Sequence, residues 1–558
     1  MTVMIFRNKR TVQAAVVLAG MLLLSVMAAD SRTASSFWKA ATYFSDEWVM
    51  NFWNSEMDSI DEDFMKIRAD GFNSIILVIP WREFQPETDP VVYNDDVFHK
   101  LSWVMDKADQ HGLDVIVRIG YAHDFYDAGD DSQIWQRYYD YFSDVRIQTA
   151  WKDYLKKLDD LLTKHKRYLG AFITWEDWWE TVTYAQTLGG RCQESILAAQ
   201  QLGYQEYMYA AYSVKELRQL FEDDAIKGKA DIYIPSVEAK AFVTFYDFYD
   251  TLLNRLLADS QQVMPDLSME VRSDQDLVYD EAHHPGYYSH KNTFSCQNSS
   301  FVTTVYGIPM GFENQGEKVT AEQALEKTEY MLDEIHKVTH HKDLFIDQFL
   351  FYDNTPKFPN NAQLYTQEVN GYLERAAKLL YDQTIGYGIW TYRDYHSNML
   401  YNPQFALGKE GWTITGSAKI TDNGSKKLKL GKGSCVSQTV SSARINYSCG
   451  QVTVAFDAEL ADNKSARLRI KVGDTEVQRD ITASGRITEI MQQPGSWDLS
   501  IQTDTDLSID NVKLYSHTQK GLIYDSSGRE QECLEGMRRM NACIDAYQVS
   551  DQKGHEKT

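Results

Sequence analysis

The run "GAFITWEDWWE", Gly170 to Glu180, carries Glu176 and Asp177 at the end of an apolar stretch, flanked by Trp175, Trp178 and Trp179. A carboxyl group walled by indoles is partly desolvated, which disfavours its charged form and raises its pKa. Such a group is suited to donating a proton near neutral pH. Other chemistry-bearing residues stand at the ends of similar apolar runs: Trp81, Arg82 and Glu83; Arg118, Tyr121, His123 and Asp124; Glu238; Glu270, Arg272 and Asp274; Asp347 and Gln348; Trp390, Tyr392 and Asp394. Carboxylates alternate here with flat aromatic faces. That mixture suits sugars, whose C–H faces stack on rings and whose hydroxyls take charge-assisted hydrogen bonds. Cleaving a glycosidic bond needs two carboxyl groups, one protonated for the leaving oxygen and one ionised. Glu176 is the expected proton donor, with the tryptophans as sugar platform and desolvating wall. The same pattern has a plainer reading, because a Glu-Asp pair also caps helices and tryptophans at helical spacing also pack. His123, His283, His284 and His290 read as polar loop groups.

These residues meet only if the apolar runs lie side by side. From Phe37 to about Asn398 short apolar runs alternate with amphipathic ones. The expected strands are 37–44, 73–80, 113–120, 169–176, 231–238, 267–272, 343–349 and 387–392. Between them, Ile60, Phe64 and Ile67 recur at helical spacing before Gly71, and Val97, Leu101, Val104, Met105 and Ala108 do so before Gly112. Eight strands alternating with helices predict a (β/α)₈ barrel, whose strand C-termini share one mouth. The first strand is followed by no glycine-rich phosphate loop, which counts against a nucleotide-binding fold. The long segment 273–319 is expected to lie over that mouth, and "FVTTVYGI" within it is a rival strand that would shift the count by one. From Tyr401 the texture changes to short alternating strands up to about Tyr515, an all-β sandwich, followed by a helical tail.

At the N-terminus, Arg7, Lys9 and Arg10 precede the apolar "VQAAVVLAGMLLLSVMA" and small residues near Ala28 and Ala29, which reads as a signal peptide over 1–29. An uncleaved anchor is the alternative, since the run is at the lower limit for spanning a bilayer. The expected layout is therefore a signal peptide (1–29), a catalytic barrel (30–400), a sandwich (401–517) and a tail (518–558) in an exported protein. The net charge of −24 counts against nucleic acid or an anionic membrane as partner. With 13% aromatic residues and 34 tyrosines, the chain carries more rings than packing requires, which hints at a surface that meets rings. All six cysteines lie beyond the leader, which in an oxidising compartment favours disulfides; Cys435 with Cys449 is the most local pairing. No His/Cys cluster has metal-site spacing, so neither metal nor cofactor is expected.

The pieces "MKIRADGFNSIILVIPWREFQPE", "MDKADQHGLDVIVRIG", "GAFITWEDW" and "AAKLLYDQTIGYGIWTYRDY" resemble the clan of retaining (β/α)₈ glycoside hydrolases that includes the family 5 cellulases and mannanases. The resemblance spans about residues 37–398 and implies an acid/base glutamate ending strand four, which falls on Glu176. Trp175 stands where the clan has asparagine. The clan's nucleophile is a glutamate ending strand seven, and "LFIDQF" puts Gln348 there. An amide cannot attack the anomeric carbon as a carboxylate does. The alternatives are Asp347 in a shifted register, Glu270, whose face is shared by Ser268, Arg272 and Asp274, or Glu313. If none lies within about 10 Å of Glu176, the barrel is a binder. "NPQFALGKEGWTITG", "GSCVSQTV" and "DLSIDNVKLY" resemble galactose-binding-like sandwiches, which implies either polysaccharide binding or a buttress for the barrel. The combined reading is an exported glycoside hydrolase acting on a β-linked polysaccharide or oligosaccharide. Glu176 is its acid/base, Glu270 or Asp347 its nucleophile, Trp81 and Trp390 stack on sugars, and Arg118, Arg272 and Gln348 hold hydroxyls. The rival is a non-hydrolytic carbohydrate-binding or exopolysaccharide-assembly protein on a degenerate barrel.

Overall fold

The computed structural model describes residues 36–121, 136–174, 178, 187–236, 238–272, 278–279, 285–286, 299, 301–305, 316–351, 362–422, 425–440, 450–461, 465–492, 495–516 and 518–555. Trp38–Tyr547 form one compact unit holding the barrel, the sandwich and most of the tail helix. The chain ends form another, of which the described part is the approach to the first strand and the last turns of the tail helix.

Eight strands form a closed, all-parallel barrel: β1 (Trp38–Thr42), β2 (Ser74–Pro80), β3 (Asp114–Gly120), β4 (Tyr168–Ile173), β5 (Ser268–Arg272), β6 (Val302–Val305), β7 (Leu344–Gln348) and β8 (Gly386–Ile389). They pair in chain order, and Trp38 opposite Gly386 closes the ring. Both faces of β2 and β3 are buried, which is why "IILVIP" and "VIVRIG" run apolar without alternation. Inside, Trp38, Ile76, Ile116, Phe172, Phe301 and Phe345 fill the base of the barrel. A Cβ on Gly386 would lie 2.5 Å from the Trp38 side chain, so only glycine lets β1 and β8 close around that indole. The helices α1 (Ile60–Ala69), α2 (Asp95–Gln110), α3 (Val145–Leu162), α4 (Phe242–Ser260), α5 (Ala321–Thr339) and α6 (Val369–Gln383) alternate with the strands. The predicted apolar stripes are the buried ones: Ile60, Phe64 and Ile67 in α1, and Val97, Leu101, Val104, Met105 and Ala108 in α2.

One expected strand is not in the barrel. In "DIYIPSVE" the described residues 232–236 run extended without joining a sheet, and the rival segment "FVTTVYGI" supplies β6. Pro235 has no N–H to give a ladder. The backbone of 232–236 bonds instead to neighbouring backbone, with Gly190 N donating to Ile234 O at 2.9 Å, and to side chains of the helical excursion before it. Ser195 Oγ accepts from Ile234 N at 2.8 Å and donates to Ile234 O at 3.1 Å, and Gln205 donates to Ile232 O at 2.9 Å. Glu238 is consequently exposed and away from the strand ends. Glu270 belongs to the fifth strand, not the sixth.

The second region is a pair of five-stranded antiparallel sheets. Its strands are β9 (Thr413–Thr415), β10 (Ala418–Asp422), β11 (Lys426–Leu430), β12 (Cys435–Gln438), β13 (Gln451–Leu460), β14 (Ala466–Val472), β15 (Thr475–Ile481), β16 (Gly485–Gln492), β17 (Leu499–Thr503) and β18 (Leu507–Tyr515). The sheet orders are β9-β12-β17-β14-β15 and β10-β11-β18-β13-β16. In β14 the pattern "ARLRIKV" buries Ala466, Leu468, Ile470 and Val472 and exposes the residues between, the signature of a half-buried strand. Trp412 and Trp497 sit in this core. The tail helix α7 (Leu534–His555) packs on the barrel: Arg538 and Asn541 bond to Asp70, which also accepts from Tyr392 and Tyr524.

Among the described cysteines, Cys192, Cys435, Cys533 and Cys543 are free thiols, contrary to the expectation of disulfides; Cys296 and Cys449 lie outside the described residues. No helix among the described residues is long and apolar enough to cross a membrane, and the N-terminal segment lies outside them.

Candidate active site

Alternation along three strands puts Arg118 above Ile116 on β3, Glu270 above Ser268 on β5, and Thr174 above Phe172 at the end of β4, all facing the barrel interior. Arg118 Nη2 lies 3.2 Å from Glu270 Oε1 and donates to Thr174 Oγ1 at 3.2 Å. Both members of the ion pair are buried, Arg118 at 1% and Glu270 at 0% exposure.

Gln348 joins them through an irregularity. Counting from inward-facing Phe345, strict alternation would turn Gln348 outward. Between β6 and β7, however, Thr304 pairs with Ile346 and Val305 with Gln348, so Asp347 is an extra residue in a bulge. The bulge re-aims Gln348 at the cluster. With its amide oxygen toward Arg118 it accepts from Nη1 at 2.8 Å and Nη2 at 3.1 Å; the opposite orientation gives one 3.5 Å contact with Glu270 Oε1. The shorter pair of bonds favours the first orientation. Asp347 is buried at the bulge, its main-chain oxygen 2.7 Å from where a Cβ on Gly388 would lie.

An aromatic wall stands over the cluster. The Arg118 guanidinium carbon is 5.3 Å from the Trp390 ring centre and 5.8 Å from that of Tyr121, within cation–π range. Trp48, from the loop after β1, stacks on Tyr395 at 5.5 Å and meets Tyr121 at 5.7 Å and Trp390 at 6.1 Å edge-on. Phe44 backs Trp390 at 5.4 Å. Trp48 and Trp390 are the half-buried members of this wall, and Phe44, Tyr121 and Tyr395 are buried. Beside Trp48, Glu47 is 1% exposed, 3.4 Å from His396 Nε2 and paired with Lys513. Burial pushes the Glu47 carboxyl up, but His396 and Lys513 outweigh it and hold it below the usual carboxylate range.

Of the predicted residues, Arg118, Glu270, Gln348 and Trp390 are thus brought together. Glu176 lies outside the described residues, as do Trp175, Asp177, Trp179, Asp274, Glu313, His123, Asp124, His283, His284 and His290. Arg272 ends β5 opposite Val305. Two tryptophans are not where the sequence reading put them. Trp81 is 0% exposed, 4.7 Å from Trp151, with its Nε1 donating to Gln85 at 2.7 Å. The short helix Trp81–Phe84 turns it into the helix layer, so it offers no face to a sugar. Trp178 is equally buried among Tyr138, Tyr141, Phe142 and Trp151, an anchor for the chain after β4 and not a platform. The sequence reading missed Trp48, Glu47 and Tyr395; applying the strand-end rule to β1 as well would have found the first two. A cleft of about 600 Å³ between α2 and α3, lined by Phe98, Ser102, Lys157 and His165 among others, holds none of the predicted residues.

No protein-family model matches this chain, and no curated protein does. Solved structures share its chain path distantly. A GH5_18 protein from Streptomyces cattleya, in complex with GlcNAc, is 13% identical over 65% of this chain and 72% of its own, with a TM-score of 0.38. An exo-β-1,4-mannosidase from Opitutaceae bacterium strain TAV5 is 12% identical, over 65% and 53%, with a TM-score of 0.39. A cold-adapted β-galactosidase from Rahnella sp. R3 is 11% identical, over 64% and 50%, with a TM-score of 0.43. The barrel itself rests on its strand register.

Proposed function

We propose that the protein is an exported glycoside hydrolase acting on β-linked oligosaccharides or polysaccharides. The observation that carries the reading is the buried Arg118–Glu270–Gln348 cluster beneath the half-open indoles of Trp48 and Trp390, at the C-terminal mouth of an eight-stranded parallel barrel. Glu176, two residues past Thr174, is the proposed proton donor to the leaving oxygen and later the base for water. Glu270 is the proposed nucleophile, oriented by Arg118; Asp347 is the weaker choice because it sits in the bulge beside inward-facing Gln348. Trp48 and Trp390 stack on sugar faces, and Gln348 holds a hydroxyl. A reducing-sugar assay over β-glucans, mannans and galactans tests the activity. Glu176→Gln should remove at least about 10³-fold of the turnover. Azide should rescue Glu270→Gly and not Asp347→Gly; the reverse would move the nucleophile to Asp347.

A second reading has its own observation. Glu270 has no exposed surface and Gln348 stands at the end of β7, so the same mouth could bind sugar without cleaving it. Oligosaccharide binding by calorimetry, with no product from any glycan, would establish that reading.

A further inference from the structure

The aromatic wall is joined to the sandwich by a short chain of contacts. Lys513 on β18 pairs with Glu47 in the loop after β1, and His396, after β8, lies on the same carboxylate. The backbones of the two loops are zipped together: Trp48 N donates to His396 O at 2.8 Å, and His396 N donates to Asp46 O at 2.9 Å. Tyr395 is thereby stacked on Trp48. Tyr515, two residues beyond Lys513, stacks on the His396 ring at 4.1 Å. A second tie lies alongside. Asn51 and Asn398 exchange two 2.9 Å bonds, Asn398 donates to Val512 O at 2.9 Å, and it accepts from Leu514 N at 3.0 Å.

We propose that Lys513 is a positioning residue for the barrel's sugar site: by holding Glu47 it fixes Trp48 against Tyr395, so the sandwich buttresses the site's wall. The inference rests on the glycosidase reading only in calling that site a sugar site. Glu47 is buried, so its charge needs a fixed counter-charge, and among the described residues Lys513 supplies one beside His396 and the like-charged Asp46. The described tryptophans of the sandwich, Trp412 and Trp497, are core residues, which fits a supporting role better than a ring-binding face.

The test compares Lys513→Met, Lys513→Arg, Trp48→Phe and the Lys513→Met/Trp48→Phe double variant in the full chain, each first shown to be folded by far-ultraviolet circular dichroism. In the near ultraviolet, the signal of the stacked Trp48–Tyr395 pair should fall in Lys513→Met to the level of Trp48→Phe and persist in Lys513→Arg. On an oligosaccharide that is turned over, Lys513→Met should raise KM about 5- to 10-fold with kcat within about 2-fold, and the double variant should be no worse than Trp48→Phe alone. A near-ultraviolet signal unchanged in Lys513→Met, or additive effects in the double variant, overturns the proposal. If Lys513→Met does not fold, Glu47→Gln replaces it under the same criteria. A wild-type protein that neither cleaves nor binds any glycan sinks the glycosidase reading and leaves the spectroscopic comparison to decide the Lys513–Trp48 link.

Discussion

At the scale of single residues, the cluster turns on a planar guanidinium shared, among the described residues, by Glu270, Thr174 and Gln348. Arg118 reaches Glu270, Thr174 and Gln348 from one fork, a geometry that an ammonium cannot reproduce. Removing it takes away the guanidinium paired with buried Glu270, so Arg118→Met should cost about 3–5 kcal/mol in denaturant unfolding. Removing both charges relieves that penalty. Arg118→Met/Glu270→Met should therefore be more stable than Arg118→Met alone; a double variant that is worse would mean the pair is not what burial makes it. Arg118, Glu270, Gln348 and Trp390 were legible in the sequence because each stands at the end of an apolar run, where a barrel gathers side chains. The choice between Asp347 and Gln348 was not, because a bulge is a property of two paired strands and leaves no mark in one of them. Trp81 and Trp178 were misread for a similar reason. Nearness to a strand end does not say whether the chain next turns over the mouth or into the helix layer.

At the scale of elements, seven of the eight barrel strands follow from apolar runs, and the eighth shows where that signal fails. "DIYIPSVE" and "FVTTVYGI" are about equally apolar, but Pro235 withholds a ladder donor, while β6 (Val302–Val305) contains no proline and keeps every N–H for the ladder. Ile232 and Ile234 are still fully buried, so the segment satisfies the hydrophobic pattern without entering the sheet. Ser195 is one of its ties, its hydroxyl bonding to both the N–H and the carbonyl of Ile234, beside Gly190 N on that carbonyl and Gln205 on Ile232 O. Ser195→Ala leaves the Ile234 N–H buried without its partner, while the carbonyl keeps the Gly190 N–H at 2.9 Å, which should cost about 1–3 kcal/mol. The loss should appear locally, as faster proteolysis within residues 187–236, before any change in the barrel; equal protection in wild type and variant would show that the Ser195 hydroxyl does not hold the segment.

At the scale of the whole molecule, the seam between barrel and sandwich buries groups whose charge states are set by each other's domains. Lys100 of α2 donates to Ser55 O at 3.1 Å and to Gln404, the latter from the start of the sandwich, and burial pulls its ammonium down to about 8. Asp510 of β18 is 5% exposed, accepts from Ser425 at 3.1 Å, and is pushed up to about 6, chiefly by burial. The sign of the pH dependence follows. A carboxyl whose pKa is higher folded than unfolded binds its proton more tightly in the folded state, so its contribution is complete below about 4 and fades as pH rises through about 6. Lys100 acts in the opposite sense: its lowered pKa favours the neutral amine, and that contribution is lost as pH falls through about 8, outside the carboxyl's window. Asp510→Asn removes a charge that the seam disfavours. It should be more stable than wild type at pH 7 by about 1–3 kcal/mol and indistinguishable from it at pH 4, with the difference opening between those limits. Thermal melts of the two proteins across that range make the comparison. A gap that is constant with pH would show that Asp510 keeps its charge in both states, and that the seam is wetter than its burial implies.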